Sequence, residues 1–408
     1  MNAPLRAAEP RAEAAFGRPI RALHIVDRLG VGGAETWLVE LLRHWGKGGP
    51  VRLDVLATSG EQGVFDDEAR SLGAEIHYLR YGRRDLPGFA RGFRRILREG
   101  RYDAVHDHQD YVSGWHFLLG GDALPPVRIV HVHNPAYQIR SNYGVTALRR
   151  LTAAAGKRLV ARYATHIAGT SRTALTDYGF DGPAFAAIPK AALHCGLDPA
   201  RFRRDPAARR SVRAEFGWPA DARLVLFAGR FDVSPDLGHP QNHKNSGFAV
   251  DVAIAAAQAD PAARFLFAGA PSPATLLLQE RIAAAGVQAQ IAFAGIRQDI
   301  ARLTSAADAL LFPSRAEGLG MVAVEAQAAG LPVLASTDVP REAVVVPELV
   351  RFERVDAGVA AWRDAVLTLA LAPRPDADLA NRRIAASAFA IERSAARLER
   401  LYREGELG

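Results

Sequence analysis

Two glutamates bracket the residues of this chain best suited to chemistry, in the stretch Pro313-Ser314-Arg315-Ala316-Glu317-Gly318-Leu319-Gly320-Met321-Val322-Ala323-Val324-Glu325-Ala326. It follows the short apolar run Ala309-Leu310-Leu311-Phe312 and passes into helical apolar spacing at Val322, Val324, Ala328 and Ala329, which predicts strand, glycine turn, helix. Gly318 and Gly320 let the backbone approach a ligand closely, and the first N–H groups of the helix, at its positive dipole end, then face that ligand. An anion fits there. Glu317 lies beside this anion site and Glu325 about two turns into the helix on the same side; carboxylates next to an anion hold neutral hydroxyls rather than the anion itself. Phosphates on a helix end and hydroxyls on carboxylates together suit a sugar joined to a nucleoside diphosphate.

Further polar residues occur at similar junctions. Gly229-Arg230 follows an apolar strand, and Lys244-Asn245 opens a helix after the long insertion Phe231 to His243. An arginine and a lysine beside a helix start would neutralise a diphosphate. Early in the chain, Gly30-Val31-Gly32-Gly33-Ala34-Glu35 follows the first strand. It lacks the third glycine of a dinucleotide fingerprint, since Glu35 occupies that place, and Asp54 sits mid-strand; a tight strand-to-helix turn remains, with Gly32, Gly33 and Glu35 as candidate ligand contacts. His106 and His108, then His131 and His133, each share one face of a strand. A metal could be held there, but with no cysteine alongside, a hydrogen bond from His108 or His133 to a substrate hydroxyl or phosphate is the preferred expectation. Asp376 and Asp378 form a DxD sequence in a polar segment and read as a loop or helix cap.

The elements that must position these residues alternate. Strands are expected at residues 22–26, 51–57, 75–79, 104–108, 128–133, 166–168 and 185–188, and again at 224–228, 264–268, 290–293, 309–312 and 333–335, with helices between them. Strand and crossover helix in alternation predict parallel doubly wound sheets. Pro189, Pro199, Pro206 and Pro219 interrupt the pattern and mark a linker. The predicted organisation is therefore a disordered segment 1–18, a Rossmann-like domain 19–190, a linker 191–221, a second Rossmann-like domain 222–380, and a C-terminal helix in 381–408. The two sheets are expected to face each other across a cleft, because open α/β sheets bind ligands beyond the carboxyl ends of their strands.

At 408 residues the chain is long for one core, and 49% hydrophobic with 23% charged residues is ordinary for a folded protein. A single cysteine, Cys195, excludes an internal disulfide framework or a cysteine zinc site and is compatible with the cytoplasm. Residues 1–18 lack the apolar core of a signal peptide or anchor, and no run of 18 apolar residues occurs. The net charge of +7 is carried unevenly: residues 80–101 hold eight arginines against two acids, and residues 140–162 hold six basic residues and no acid. Such segments suit an anionic membrane surface, or are simply solvated helix faces; the aromatic-plus-basic ribbon of a single-strand nucleic-acid binder is missing, and no nucleic-acid partner is expected.

Taken jointly, the Pro-Ser-x-x-Glu-Gly-x-Gly run with Glu325, Gly229-Arg230 with Lys244-Asn245, Gly32-Gly33-Ala34-Glu35, and Cys195-Gly196-Leu197-Asp198 ahead of Phe202 resemble the retaining GT-B glycosyltransferases of family 4 over about residues 20 to 390. The His-x-His ending in His108 and the His-Asn-Pro at His133 are most similar to bacterial exopolysaccharide and capsule enzymes. The resemblance implies transfer of a hexose from a UDP- or GDP-sugar to a glycan or polyprenyl-linked acceptor at the cytoplasmic membrane face, with no cofactor and no metal. It makes 19–190 the acceptor domain and 222–380 the donor domain, packs the C-terminal helix 381–408 back on the first domain, and assigns Glu325 to the ribose hydroxyls and Glu317 to those of the donor sugar. Arg230 and Lys244 would hold the diphosphate and stabilise its leaving charge, assisted by the N–H groups of Gly318, Leu319, Gly320 and Met321, with Gly229 and Asn245 alongside. His108 would reach the donor sugar, and the Gly32-Gly33 turn, with Glu35 and His133, the donor phosphates or the acceptor. A nucleotide-sugar epimerase on the same scaffold and a non-catalytic glycan- or lipid-binding module stay open as alternatives.

Overall fold

The computed structural model describes residues 18–135, 146–234, 236, 238–374 and 376–407. The segment 1–18 expected to be disordered lies outside them except for Arg18, as do residues 140–145 of the second basic stretch. The chain divides into two compact units, Met1–Leu197 with Ile391–Gly408, and Asp198–Ala390.

The first unit contains seven strands: β1 Ile20–Val26, β2 Val51–Ala57, β3 Ile76–Tyr78, β4 Ala104–Asp107, β5 Val127–Val132, β6 His166–Gly169 and β7 Lys190–Ala192. Their order is β3-β2-β1-β4-β5-β6-β7, and every pairing is parallel. A parallel sheet is covered on both faces, so its strands read as near-continuous apolar runs, and Leu23, Ile25, Val105, Val130 and Ile167 are fully buried. The order reverses between β1 and β4, which opens a crevice beyond their carboxyl ends. Three helices of this unit matter below: α1 Gly33–Trp45, α2 Leu86–Gly100 and α3 Ala147–Tyr163.

The second unit repeats the design with β8 Arg223–Ala228, β9 Ala263–Ala268, β10 Ile291–Gly295, β11 Ala309–Phe312, β12 Val333–Ser336 and β13 Val350–Glu353. They lie in the order β10-β9-β8-β11-β12-β13, again all parallel. Helix α4 Ser246–Ala259 follows β8, and α5 Met321–Ala328 follows β11. The edge strand β13 escaped sequence reading because Val-Arg-Phe-Glu is half-solvated and carries no apolar run.

Three expectations change. The predicted strand 185–188 is a short 3-10 turn, Pro183–Phe185, and the strand follows it as β7. The predicted linker 191–221 is folded: Pro199 and Pro206 each occupy the first turn of a helical segment, capped by Asp198 and Asp205, because proline there gives up only an N–H that has no helical partner. Arg213 of the second of these segments is buried and donates to Asp308 and to the Ala222 and Ala306 carbonyls. Finally, the C-terminal helix expected in 381–408 is two, the first beginning before residue 381. Ala377–Ala385, capped by Asp376, stays in the second unit, and α6 Ile391–Glu404 returns to the first, where Trp37 of α1 donates to Ser394 at 2.9 Å.

Candidate functional site

In the second unit the turn between β11 and α5 is built around Gly320. Its φ of +92° lies in the left-handed region, and a Cβ there would stand 2.9 Å from the Phe312 ring, so both backbone and space demand glycine. Gly318, Leu319 and Gly320 are buried, and Met321 opens the helix half-buried. Across from it, Asn245 caps the start of α4 in a left-handed conformation, φ +57°. Its side-chain amide donates to the Pro313 carbonyl at 3.1 Å, and the Arg315 N–H donates to the His243 carbonyl at 2.7 Å. These two bonds zip residues 243–245 to residues 313–315, although the insertion 231–243 intervenes before Lys244. That insertion is itself stitched by Asn242, whose side chain bonds the backbone of Ser234 and Asp236.

The consequence is one contact: Lys244 Nζ lies 2.6 Å from Glu317 Oε1, with both side chains largely buried. Arg230 is exposed, beyond Gly229 at the end of β8. Gly269 at the end of β9 approaches so closely that a Cβ there would meet the Gly229 carbonyl oxygen at 1.8 Å. Glu325, half-buried, lies within α5. His243, which sequence reading passed over, belongs to the same cluster: burial, then the charges of Arg230 and Lys244, lower its pKa to about 4 against the pull of Glu317. A helix start, a lysine, an arginine and a carboxylate gathered at the carboxyl ends of β8 and β11 can hold a phosphorylated ligand that also carries hydroxyls.

In the first unit, Gly32 caps α1 with extended backbone, and Gly33 begins the helix. The Glu35 carboxylate folds back over the turn, so that a Cβ on Gly32 would meet its Oε2 at 2.2 Å. Glu35 also reaches Cys195 electrostatically: burial, and then this carboxylate, push the thiol up to about 12. Cys195 Sγ lies 3.9 Å from His133 Nδ1. The turn, Cys195 and His133 therefore gather in one place. His108 is buried, and both its ring nitrogens are engaged, Nε2 with His24 at 2.9 Å and Nδ1 with His133 at 2.8 Å. Contact between His108 and a sugar would require one of those bonds to open.

One more residue here gave no sequence signal. Asp110, just past β4, is buried in the left-handed region with φ +55°, and accepts from the His133 N–H at 3.3 Å. Burial raises its carboxyl to about 7 against hydrogen bonds from Asn134 and His133 that pull it down. A strained backbone carrying a perturbed carboxyl is the kind of feature that accompanies ligand sites. Nearby, Asp27, Ser59, Arg80, Tyr81, Gln109 and Tyr111 line a cavity of about 470 Å³ at the carboxyl ends of β1 to β4. Among the described residues, three histidine nitrogens cluster within 4.8 Å twice, in His24/His106/His108 and His108/His131/His133.

Comparison with known proteins matches these two halves separately. Residues 32–189 fit the family described as glycosyl transferase 4-like domain, and residues 222–370 the family described as glycosyl transferases group 1. The chain belongs to the group 1, family 4-like glycosyltransferases. Its paired sheets are the two Rossmann-like domains of the GT-B class. This glycosyltransferase is 26% identical over 391 residues to EpsF of Bacillus subtilis (strain 168), a protein named as a glycosyltransferase, covering 94% of this chain and 96% of that one. D-inositol 3-phosphate glycosyltransferase of Mycobacterium tuberculosis is 31% identical, but over 62% of this chain and 52% of its own length. Among solved structures, Anabaena HepE in complex with UDP and glucose superposes with a TM-score of 0.72 at 17% identity, over 93% of this chain and 98% of that one. No described helix is long and apolar enough to cross a membrane.

Proposed function

We propose that this glycosyltransferase moves a hexose from a UDP- or GDP-sugar to a glycan or polyprenyl-linked acceptor in polysaccharide synthesis, with retention of configuration and without a metal. The Lys244–Glu317 pair beside the start of α5 carries the proposal. A lysine held on a carboxylate is ready for exchange: an arriving diphosphate takes the ammonium, and the freed carboxylate accepts from the sugar hydroxyls. Arg230 and the first N–H groups of α5 add positive potential where charge accumulates on the leaving diphosphate. Glu325 takes the ribose hydroxyls. Support for UDP comes from the HepE complexes, and support for glycosyl transfer from the similarity to EpsF.

In the first unit, the cavity lined by Asp27, Arg80, Tyr81 and Tyr111 is proposed to take the acceptor glycan, with tyrosines for sugar faces, carboxylates for hydroxyls and Arg80 for an acidic group. Burial and the Asp107 charge push Tyr81 up to about 12, so it stays a neutral phenol. Helix α3, with Arg149, Arg150, Lys157, Arg158 and Arg162 and the exposed Leu148 and Leu151, is proposed to rest on an anionic membrane surface.

A thermal-shift screen of UDP, GDP, ADP and their sugar conjugates tests the donor assignment, because a bound nucleotide stabilises the native state by mass action. One nucleotide and its sugar conjugate should raise Tm, and Glu325→Ala should weaken that nucleotide by about tenfold or more. If Glu325→Ala binds as tightly as the wild type, the donor site has been placed wrongly.

A further inference from the structure

The interior of the first unit holds something unusual for a parallel sheet. His24 on β1, His106 on β4 and His131 on β5 are fully buried, with His108 and His133 close by at the carboxyl ends of β4 and β5. Tyr402 of α6 inserts among them. The rings connect without a break. His131 Nδ1 meets His106 Nε2 at 3.1 Å, and His106 Nδ1 meets the Tyr402 hydroxyl at 2.9 Å. That hydroxyl meets His24 Nε2 at 3.0 Å, His24 Nδ1 meets His108 Nε2 at 2.9 Å, and His108 Nδ1 meets His133 Nε2 at 2.8 Å. The far nitrogen of His133 faces Cys195.

These separations are hydrogen-bond lengths. Two imidazole nitrogens sharing a tetrahedral zinc at about 2.0–2.1 Å would stand about 3.3 Å apart. The rings are also neutral, since burial drives all five pKa values well below the usual histidine value. A neutral imidazole has one N–H and one lone pair, and Tyr402 has one proton to give. Because the buried Tyr402 proton must itself reach one of its two ring neighbours, donor follows donor in one direction along the whole row, which leaves two arrangements: every ring protonated on Nε2, or every ring protonated on Nδ1. The ends choose between them. Cys195 is a thiol, held well above its ordinary pKa, and can give a proton to Nδ1 of His133. At the other end, Nε2 of His131 makes no well-formed hydrogen bond, and the adjacent Leu193 backbone favours a proton on the ring. Each end biases the row toward the Nε2–H arrangement, weakly at the long thiol contact, and the two biases add only while the row is unbroken.

We propose that the five histidines and Tyr402 form one polarity-locked array, all rings Nε2–H, which leaves Nδ1 of His133 as a neutral acceptor for a substrate hydroxyl and makes Tyr402 the residue that positions it. A lone pair at that atom repels phosphate oxygen, so the ligand group admitted there is a hydroxyl, which supplants the long thiol contact. This specificity rests on the sugar-transfer function proposed above, whereas the array itself is a property of the fold.

The test is magic-angle-spinning 15N NMR of histidine-labelled protein, with rings assigned by single His→Gln variants, on wild type and Tyr402→Phe. Wild type should show His133 as a single Nε2–H tautomer. Tyr402→Phe breaks the row at its middle and should give His133 as a mixture of tautomers, with kcat/KM lowered about tenfold. If Tyr402→Phe does not fold, Cys195→Ser, which keeps a donor at the open end, should hold the single tautomer, and Cys195→Ala should lose it. An Nδ1–H His133 in wild type, a tautomer unchanged in Tyr402→Phe and Cys195→Ala alike, or stoichiometric zinc in the purified protein overturns the array. The nucleotide-induced Tm shift, measured on the same samples, tests the donor site alone, so its absence would remove the sugar-transfer function while leaving the tautomer result to stand or fall by itself.

Discussion

Lys244 Nζ and Glu317 Oε1 stand 2.6 Å apart although 73 positions separate the residues in sequence. The pair is possible because Asn245, next to Lys244, and Arg315, two residues before Glu317, tie their two loops together through backbone carbonyls. With 24% and 8% of the side chains exposed, neither charge is left to bulk water, and loss of either partner strands the other.

Lys244→Ala should weaken the bound nucleotide by about tenfold to a hundredfold and slow transfer by more, since the lysine acts most strongly where leaving charge develops. Glu317→Gln frees the ammonium and should leave nucleotide affinity close to wild type while lowering kcat for the sugar donor. Calorimetric titration of nucleotide alongside product formation separates the two effects; equal losses of affinity in both variants would contradict the exchange of partners.

Gly320→Ala meets both a left-handed φ and the Phe312 ring, whereas Gly286→Ala meets a comparable φ of +71° with nothing within 4 Å. The second substitution should cost about 1 kcal/mol of backbone strain, and the first about 2–4 kcal/mol together with the nucleotide-induced Tm shift. Urea denaturation gives the two costs, and equal costs would mean that Phe312 yields without strain.

Acid should loosen the first unit. The histidines of the array have folded pKa values depressed below the unfolded 6.5, to about 3 for His24 and His133. The unfolded chain therefore binds more protons between about pH 6.5 and pH 3, so this contribution to stability is complete above 6.5 and declines as pH falls toward 3. Each ring can add a slope of up to about 1.4 kcal/mol per pH unit in that window. Urea midpoints followed by tryptophan fluorescence at pH 7.5, 6 and 5 should fall steeply, and a flat profile would show that the rings titrate in the native state as they do in the unfolded chain.

Membrane docking through α3 predicts that Leu148→Glu with Leu151→Glu lowers sedimentation with anionic liposomes at low salt by at least about tenfold, since each leucine would bury apolar surface in the lipid boundary. Wild type that stays in the supernatant would remove the membrane surface as a partner.

What the sequence alone determined was local or repetitive. Apolar runs gave the parallel strands, and glycines placed after a strand gave the turn at Gly318 and Gly320. A polar residue ahead of a helical segment gave the cap at Asp376, which receives the Asp378 and Leu379 N–H groups. Each is a property of neighbours in the chain, where backbone conformation and side-chain type interact directly. Tertiary structure decided the rest, because it depends on distant segments sharing one space. It turned the supposed linker into helix, since Arg213 finds its carboxylate only once Asp308 is in place. It added His243 to the donor cluster and put Asp110 in a strained conformation under His133. Two His-x-His pairs read as candidate substrate or metal contacts at strand ends; only the packing of β1, β4, β5 and α6 showed that His24 and Tyr402 complete them as a buried row. Spacing in a sequence fixes which face a ring lies on, but the nitrogen it protonates is settled by the neighbour that folding brings to it.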